Sequence, residues 1–462
     1  MSLRAGLVAA VVLLVACGST DADPGDGSAP TVAYDVPRSP SVPDARLDGA
    51  VDAALVRLVA AVDDGELDRE ALNTVAASGD ARLAWFVADL LRFLSGGDGE
   101  DALVSAFGAL TGVDPRRDPT FADGAWRSVT NHLIAWDLPA PPGYREVKAE
   151  LFLLVEPRWE PFFADRDATV DWRVVSWGGV LIDDRPEGDT EACPLGCIPS
   201  LDDPELTDAD DGRWYPDGRI VFGVVVGDEA VAFPKHIMEV HEMVNITVGG
   251  RRLGIPYCTL CGSAQAYLLD SVPTGLATPV LRTSGLLSRS NKVTYDLNTR
   301  SMIDTFTGRA VSGPLLDAGV VLEQITVVAS PWGAWRQAHP DTRIVASDGG
   351  IGLNYPDDPL RGRDDDGPIF PVGPIDPRLP VQAEVVGVIA SDGTPVAFPA
   401  DQARAALADG LPVTVGALEL LLDGGGLRAR DRAGGDLPAH PAFWFAWSQF
   451  HPATLVWTPL SG

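Results

Sequence analysis

The amino-acid sequence predicts an α+β fold in which an N-terminal α-helical region, similar to a helical repeat, precedes two tandem, mainly antiparallel β-rich repeats. Three observations predict it: helical spacing of Ala, Leu and Val in the first third, short β-branched runs separated by turn residues after Ile220, and a stretch that occurs twice. The 462 residues are enough for about two to four domains. A hydrophobic content of 46% and twelve Trp residues exclude disorder over most of the chain.

The first 16 residues have the features of a lipoprotein signal peptide. Arg4 precedes Ala5 to Ala16, twelve small or apolar residues that are too few to span about 30 Å of hydrocarbon but enough for a signal-peptide core. The sequence Leu-Val-Ala-Cys ending at Cys17 resembles a bacterial lipobox, in which the cysteine is lipidated and becomes the new N-terminus. An ordinary signal peptide with a chance cysteine is the alternative.

Residues 17–44 are polar and rich in Pro and Gly, which predicts a flexible tether between a lipid anchor and the folded body. The expected location is therefore extracytoplasmic, on the periplasmic face or the cell surface, with the lipid bilayer as a partner through the anchor. The net charge of −30 is spread along the chain without a cationic cluster, which excludes nucleic acid as a partner.

Residues 45–175 form the predicted helical region. The segments DARLAWFVADLLRFL and GEDALVSAFGALTG place apolar residues three and four apart, so three or four short amphipathic helices are expected before about residue 113. A scaffold is the favoured role, with a docking surface as the alternative.

A tandem repeat organises the remainder of the chain. The segment from Trp332 to Thr342 recurs from Trp444 to Thr454 with seven identities in eleven positions. We therefore expect a first repeat at 176–347, an acidic Pro/Gly linker at 348–379 and a shorter, degenerate second repeat at 380–462. Features present in both copies, including the His-Pro pairs at His339 and His451, are expected to be scaffold.

The candidate catalytic residues lie in the first copy alone. His241 and Glu242 lie in a predicted short helix that runs from Pro234 to Asn245, and Cys258 and Cys261 form a CxxC motif. This motif is compatible with a disulfide, a redox couple or half of a soft-metal site. In the metal alternative, Cys258, Cys261 and His241 bind copper or zinc.

Cys193 and Cys197 form a second pair in an acidic, Gly/Pro-rich loop, where a local disulfide is the favoured interpretation. A zinc site built from all four cysteines is the alternative. The sequence has no Gly-x-Ser-x-Gly elbow, phosphate-binding loop, dinucleotide fingerprint or HExxH motif.

The first copy resembles a bacterial family catalogued as domain of unknown function 3179. The segments that carry the resemblance are GVVVGDEAVAFPKHIMEVHEMVNITVGGRRLGIPYCTLCGSAQAY, SGLLSRSNKVTYDL, TGRAVSGPL and WGAWRQAHPDT. The chain has Thr259 where the family pattern has Pro, and an insertion around Cys193 and Cys197 places that pair outside the pattern. The resemblance implies an exported or anchored protein, without an established activity. The resemblance also implies that some family members have selenocysteine in place of a cysteine of the CxxC motif, which favours redox chemistry.

The leading hypothesis is a thiol-based redox protein that requires no cofactor. Cys258 would attack, Cys261 would resolve the mixed disulfide, and His241 with Glu242 would lower the thiol pKa or transfer a proton. A copper- or zinc-binding protein and a structural or docking lipoprotein with an inert disulfide remain open. Whether the protein is an enzyme also remains open, as does the identity of its protein partner, small thiol or metal substrate.

Overall fold

A computed structural model describes residues 37–44, 46–191, 193, 196–364 and 367–459. The predicted signal peptide, the predicted lipidation site at Cys17 and most of the predicted tether lie outside the described residues. The chain divides into two compact units. The first comprises the chain up to Arg166 with Val170–Gly179 and Phe370–Ile375, and the second comprises Asp167–Thr169, Val180–Ile369 and Asp376–Gly462. Helices predominate in the first unit and mainly antiparallel sheets in the second, which confirms the α+β class.

The first unit is built from short helices that bury one face each. Its α-helices are α1 Gly49–Asp63, α2 Arg69–Ala77, α3 Ala84–Phe93, α4 Gly97–Thr111, α5 Ala125–Ala135, α6 Tyr144–Val155 and α7 Glu160–Ala164, and its strand is β1 Val175–Trp177. Short 3₁₀ turns lie at Ala81–Leu83, Pro115–Arg117, Pro119–Asp123 and Pro157–Trp159. The side chains of Asp48 and Asp68 cap α1 and α2 by accepting from backbone N–H groups. The four helices before residue 113 match the number expected from the apolar spacing.

The second unit contains most of the strands. They are β2 Leu201–Asp202, β3 Leu206–Asp208, β4 Ile220–Val226, β5 Glu229–Pro234, β6 Met243–Val248, β7 Arg251–Cys258, β8 Ser263–Ala264, β9 Ala266–Leu268, β10 Leu281–Ser288, β11 Asn291–Asp296, β12 Met302–Asp304, β13 Arg309–Ala310, β14 Glu323–Ile325, β15 Val328–Pro331, β16 Arg343–Val345, β17 Glu384–Ile389, β18 Pro395–Pro399, β19 Thr414–Val415, β20 Leu418–Asp423, β21 Gly426–Asp431, β22 Asp436–Leu437, β23 Ala439–Phe443 and β24 Leu455–Val456. Its α-helices are α8 Lys235–His241, α9 Gly313–Asp317, α10 Trp332–Ala338, α11 Ala400–Ala408 and α12 Trp444–Phe450. Short 3₁₀ turns lie at Asp211–Trp214, Thr259–Cys261 and Leu269–Ser271.

The sheets of the second unit show the internal repeat directly. One sheet has the order β15-β4-β5-β16-β3, and another has the order β23-β17-β18-β24. Four strands correspond in the two sheets: one of their pairs is parallel, β5 with β16 and β18 with β24, and the other pairs are antiparallel. A helix follows the second strand of each hairpin, α8 in the first copy and α11 in the second. The copies therefore share one framework of four strands with a helix after the hairpin.

The framework is fixed by the same close contact in each copy. A Cβ atom added at Gly223 would overlap the Trp335 ring, and one added at Gly387 would overlap the Trp447 ring. Both tryptophans are fully buried. The indole N–H of Trp335 donates to Thr342 Oγ1 at 3.0 Å, and that of Trp447 donates to Thr454 Oγ1 at 2.9 Å. Glycine is required because the ring lies directly on the strand.

The remaining sheets carry the candidate site. The sheet β14-β9-β7-β6-β2 has β8 attached to β7, and β10-β11-β12-β13 pair in that order. One hydrophobic core of the second unit includes Phe233, Ile237, Ile255 and Tyr257. The fifth sheet, β19-β20-β21-β22, belongs to the second copy. Within the described part of the chain, every helix is too short or too polar to span a lipid bilayer.

Candidate functional site

The CxxC motif lies at the end of a buried strand and turns back on itself. Cys258 is the last residue of β7, Thr259–Cys261 form a single 3₁₀ turn, and Gly262 follows with φ 56°. The chain then pairs back as β8, with Cys258 opposite Ser263. Residue 262 is glycine because the reversal of the chain requires a positive φ at this position. The turn brings the two sulfur atoms to the same side.

Both sulfur atoms face one backbone carbonyl group. The Sγ atoms of Cys261 and Cys258 lie 3.3 Å and 3.8 Å from the carbonyl oxygen of Ser290. The two cysteines are free thiols in the structure. Cys258 is 4% exposed and Cys261 is fully buried, so Cys258 is the one that solvent touches.

The carbonyl that faces the thiols belongs to a tight turn between β10 and β11. Ser288 pairs with Asn291, and the two intervening residues, Arg289 and Ser290, have φ values of 49° and 72°. Two-residue hairpin loops commonly have two positive φ values, but glycine or asparagine is the usual choice. The Ser290 hydroxyl is also buried without a hydrogen-bond partner. The turn thus holds non-glycine residues in a costly conformation next to the thiols, as is frequent at functional sites.

A buried ion pair lies beside the turn. Lys292 Nζ donates to the Glu242 carbonyl oxygen at 2.7 Å and lies 3.1 Å from Glu242 Oε2. Thr259 Oγ1 donates to Glu242 Oε1 at 2.7 Å, which connects the ion pair to the CxxC turn. Glu242 ends α8 with φ 53°, a left-handed conformation uncommon for glutamate. The helix end therefore directs a carboxylate toward the thiols.

The two thiols have opposite electrostatic environments. Burial raises the pKa of Cys258, but hydrogen bonds from the Cys261 thiol and the Lys292 backbone N–H, with the Lys292 charge, bring it below its usual value. Burial and the neighbouring Cys258 raise the pKa of Cys261 well above its usual value. The nearby Glu242 carboxylate opposes ionisation of both. The pair therefore favours one thiolate, at Cys258, stabilised by the proton that Cys261 retains.

His241 is directed elsewhere, although it adjoins Glu242 in the chain. Its Nδ1 lies 2.7 Å from the carbonyl oxygen of Pro199, and its Nε2 lies 2.7 Å from the hydroxyl of Tyr355. Burial lowers the pKa of His241 to about 4, so the ring is neutral at pH 7. Both ring nitrogens are thus occupied by a structural hydrogen-bond chain. The structure brings Glu242 to the thiols and leaves His241 on the other side of the helix end.

The structure does not gather the ligands of the predicted metal alternative. Among the described residues, the one cluster of at least three possible ligands is Asp183 with Cys193 and Cys197, and it contains neither His241 nor the CxxC thiols. The Asp183 carboxylate is already occupied, because it accepts from Arg185 Nε at 2.7 Å and from the Ser200 N–H at 2.7 Å.

Cys193 and Cys197 are joined in a disulfide, with their Cα atoms 5.3 Å apart. The bond closes a local loop next to the bridge between Leu181 and Cys197. With these sulfurs used by each other, a zinc site shared by all four cysteines is not formed among the described residues.

Sequence reasoning missed Lys292, Ser290 and Tyr355. Tyr355 lies in the segment expected to be a linker, yet its hydroxyl reaches His241. A signal for Lys292 was present, because the chain has only three lysines among 35 basic residues. Two of the three, Lys148 and Lys292, are buried and paired with a carboxylate. In a chain that otherwise uses arginine, a lysine in a β-branched run indicates a specific role.

The chain was compared with known protein families, and one family model matches it. The model of the family described as protein of unknown function (DUF3179) matches residues 195–433, just over half of the chain. The chain belongs to this family. The match includes the CxxC motif, Glu242 and Lys292, and it extends through most of the second copy of the repeat. Comparison with curated proteins found no match, and neither did comparison with solved structures.

Proposed function

We propose that this DUF3179 protein is an extracytoplasmic thiol–disulfide redox protein in which Cys258 is the attacking thiolate and Cys261 the resolving thiol. The observation that carries the proposal is the unequal treatment of two adjacent free thiols. Cys258 has the lowered pKa and the small exposed area, and Cys261 is enclosed and keeps its proton. A nearby cation, which Cys258 has in Lys292, is one feature that distinguishes reactive cysteines from inert ones.

The reaction exchanges one disulfide for another. The Cys258 thiolate attacks a sulfur atom of the substrate disulfide, which forms a mixed disulfide and releases one substrate thiolate. Cys261 then loses its proton to solvent and attacks Cys258, which forms the Cys258–Cys261 disulfide and releases the second substrate thiolate. Each released thiolate takes up a proton from solvent. The protein is oxidised by two electrons and the substrate is reduced by two, so no cofactor is required.

Lys292 and Glu242 have opposing roles in this proposal. The Lys292 ammonium and backbone N–H favour the Cys258 thiolate, while Glu242 holds the ammonium in place at 3.1 Å. Glu242 also opposes ionisation of both thiols. His241 supports the helix end through Pro199 and Tyr355 and is assigned no proton transfer.

The proposal includes anchoring at a membrane. Residues 1–16 would be removed as a signal peptide, Cys17 would carry the lipid, and residues 18–44 would be the tether. An oxidising compartment would also suit the Cys193–Cys197 disulfide. The substrate would then be a disulfide of a small molecule or protein at the cell envelope.

The test uses the full chain, purified anaerobically from an exporting host and equilibrated with glutathione redox buffers. We expect the Cys258–Cys261 pair to titrate with a potential between about −270 and −120 mV, the range of thiol oxidoreductases. The Cys261→Ser variant should accumulate a mixed disulfide with glutathione, while Cys258→Ser should not react. The Cys193→Ser/Cys197→Ser variant controls for the second pair and should behave as the unmodified chain.

Three results would contradict the proposal. A potential below about −300 mV is typical of structural disulfides. Failure of the Cys261→Ser variant to form a mixed disulfide would remove Cys258 as the nucleophile. One equivalent of copper or zinc in the same sample, with both thiols protected from alkylation, would favour a metal-binding protein instead.

A further inference from the structure

The hydroxyl group of Ser290 lies in the turn that faces the CxxC thiols, and it has no use in the reduced structure. Ser290 is 1% exposed, and its Oγ atom is buried without a hydrogen-bond partner among the described residues. A buried hydroxyl group without a partner is costly, and such groups are rare in folded proteins. The sulfur atoms beside it offer a physical reason for keeping this one.

The thiols use the backbone of Ser290 in the reduced form. The Cys261 thiol donates to the Ser290 carbonyl oxygen with its Sγ atom at 3.3 Å, and the Cys258 Sγ atom lies 3.8 Å from the same oxygen. A carbonyl oxygen only accepts hydrogen bonds, so it stabilises a sulfur atom that still carries its proton. A hydroxyl group can also donate, and it can therefore serve a sulfur atom that has lost its proton.

The Ser290 side chain acts on Cys261, the thiol that is hardest to ionise. Burial and the neighbouring Cys258 raise the pKa of Cys261 well above its usual value, whereas the Ser290 side chain favours the ionised form. The Glu242 carboxylate opposes ionisation, and the Lys292 ammonium group beside it is held at 3.1 Å by that carboxylate. Cys261 is fully buried, so solvent gives its thiolate little help.

The backbone alone does not account for a serine at this position. Ser290 has a φ of 72°, a conformation that glycine adopts without strain. Glycine and asparagine are the usual residues in a two-residue hairpin turn. Glycine would relieve the strain but would lose the hydroxyl group. The chain therefore accepts a strained residue that supplies a hydrogen-bond donor next to the thiols.

We propose that Ser290 is a further catalytic residue, whose hydroxyl group donates a hydrogen bond to the Cys261 sulfur atom whenever that atom carries negative charge. This inference rests on the redox function proposed above. In the resolving step, Cys261 gives its proton to solvent and its thiolate attacks Cys258. In the reverse direction, the Cys258–Cys261 bond breaks and Cys261 leaves as the thiolate. Ser290 keeps its own proton in both directions.

The test is the rate at which dithiothreitol reduces the Cys258–Cys261 disulfide in the oxidised full chain. A dithiothreitol thiolate attacks the Cys258 sulfur, Cys261 leaves as a thiolate, and that thiolate takes a proton from solvent. The second dithiothreitol thiol then closes a ring and releases Cys258, so the first attack determines the rate. Alkylation followed by mass spectrometry distinguishes this disulfide from the one between Cys193 and Cys197.

Removing the hydroxyl group should slow this reaction. A hydrogen bond to a full charge changes an equilibrium by about ten- to a hundredfold, and the leaving sulfur atom carries only part of its charge in the transition state. We therefore expect Ser290→Ala to reduce the rate by about three- to tenfold, with the alanine methylene-sized side chain keeping the turn filled.

Two glycine variants separate the hydroxyl group from the strain of the turn. Ser290→Gly removes the hydroxyl group and relieves the positive φ, so it should slow reduction as Ser290→Ala does while raising the midpoint of urea unfolding. Arg289→Gly relieves the same kind of strain at a φ of 49° and keeps the hydroxyl group. It should leave the rate of reduction unchanged.

A second reaction checks that the hydroxyl group acts on Cys261. In the Cys261→Ser background, attack of Cys258 on glutathione disulfide does not involve a sulfur atom at position 261. Adding Ser290→Ala should leave the rate of that attack unchanged. An equal decrease in both reactions would show that the turn only positions the thiols, and it would overturn the assignment.

Two further results would overturn it: an unchanged dithiothreitol rate in Ser290→Ala, or an equal decrease in Arg289→Gly. Failure of the Cys261→Ser variant to form a mixed disulfide is a different result, because it contradicts the redox function itself. The dithiothreitol rates would still decide whether the Ser290 hydroxyl group stabilises the Cys261 thiolate.

Discussion

In the first copy of the repeat, the strands after the shared framework carry two thiols and a buried ion pair, whereas the second copy contains no cysteine and no lysine. The frameworks match down to the glycine under each tryptophan and the threonine that accepts each indole N–H. The left-handed residue after the first helix of each copy differs: it is Glu242 in the first and Gly410 in the second. The second copy thus uses the residue that the backbone prefers, and the first uses one that supplies a carboxylate.

This difference separates the requirements of folding from those of the site. Glycine at such a position costs little, and glutamate there is strained. Strain in the first copy recurs at Arg289 and Ser290, again beside the thiols. The first copy departs from the favoured backbone beside its CxxC thiols, and it does so as well at Asp203 and Arg300.

The largest expected effect comes from breaking the ion pair that only the first copy has. Lys292→Met leaves the Glu242 carboxylate buried without its partner, so we expect a loss of about 3–5 kcal/mol in the free energy of unfolding. The pKa of Cys258 should rise, because the Lys292 charge that favours its thiolate is removed. Glu242→Gln should instead lower the pKa of Cys258. Urea unfolding and ultraviolet absorbance of the thiolate measure the two effects.

The matched control lies in the second copy. Arg430 and Glu419 form an ion pair with partly exposed side chains, and Arg430→Met should cost less than about 1 kcal/mol. The double variant Lys292→Met/Glu242→Gln should recover part of the stability lost in the single variant. Equal losses from Lys292→Met and Arg430→Met, or pKa changes of the same sign in the Lys292 and Glu242 variants, would count against the assigned roles.

Patterns local in sequence predicted the framework, and long-range pairing determined what they missed. The apolar spacing predicted the N-terminal helices, and self-comparison of the chain found both copies. Lys292 was missed because the β10–β11 hairpin brings it to Glu242 from 50 residues away. His241 and Glu242 were expected to act together on the thiols because both lie, with the CxxC motif, in the first copy alone. The reversal at Glu242 directs their side chains to different partners, which the sequence order does not reveal.

The next effect tests whether the two frameworks are equivalent. Gly223→Ala and Gly387→Ala each force a methyl group into a buried tryptophan ring, and we expect each to cost about 3 kcal/mol. Urea unfolding of both variants measures the cost. Gly218→Ala and Gly435→Ala are controls, since a Cβ atom at either position has no neighbour within 4 Å. If only one of the two variants lost stability, the glycine–tryptophan contact would support the fold of that copy alone.

A smaller effect concerns a position where the second copy is the unusual one. His440 lies opposite Gly387, and Val328 occupies the equivalent position opposite Gly223. His440 is buried, its Nδ1 lies 2.8 Å from Gln324 Nε2, and its Nε2 has no hydrogen-bond partner. Burial, with a contribution from the His451 charge, lowers the pKa of His440 to about 3. A valine there would restore the residue type of the first copy.

The pH dependence of stability should reveal this histidine. Above pH 6.5 the ring is neutral in both the folded and unfolded chains, and as the pH falls from 6.5 toward 3 only the unfolded chain gains the proton. Stability is therefore lost across that window, by up to about 1.4 kcal/mol per pH unit for one group. His440→Val should reduce the slope by up to that amount, measured by urea unfolding at several pH values.

Gln324→Leu removes the hydrogen bond to His440 but keeps the titrating ring, so the pH slope of its stability should match that of the unmodified chain. An unchanged slope in His440→Val would mean that His440 takes up its proton without unfolding, and that the second copy accommodates a charge where the first copy has a valine.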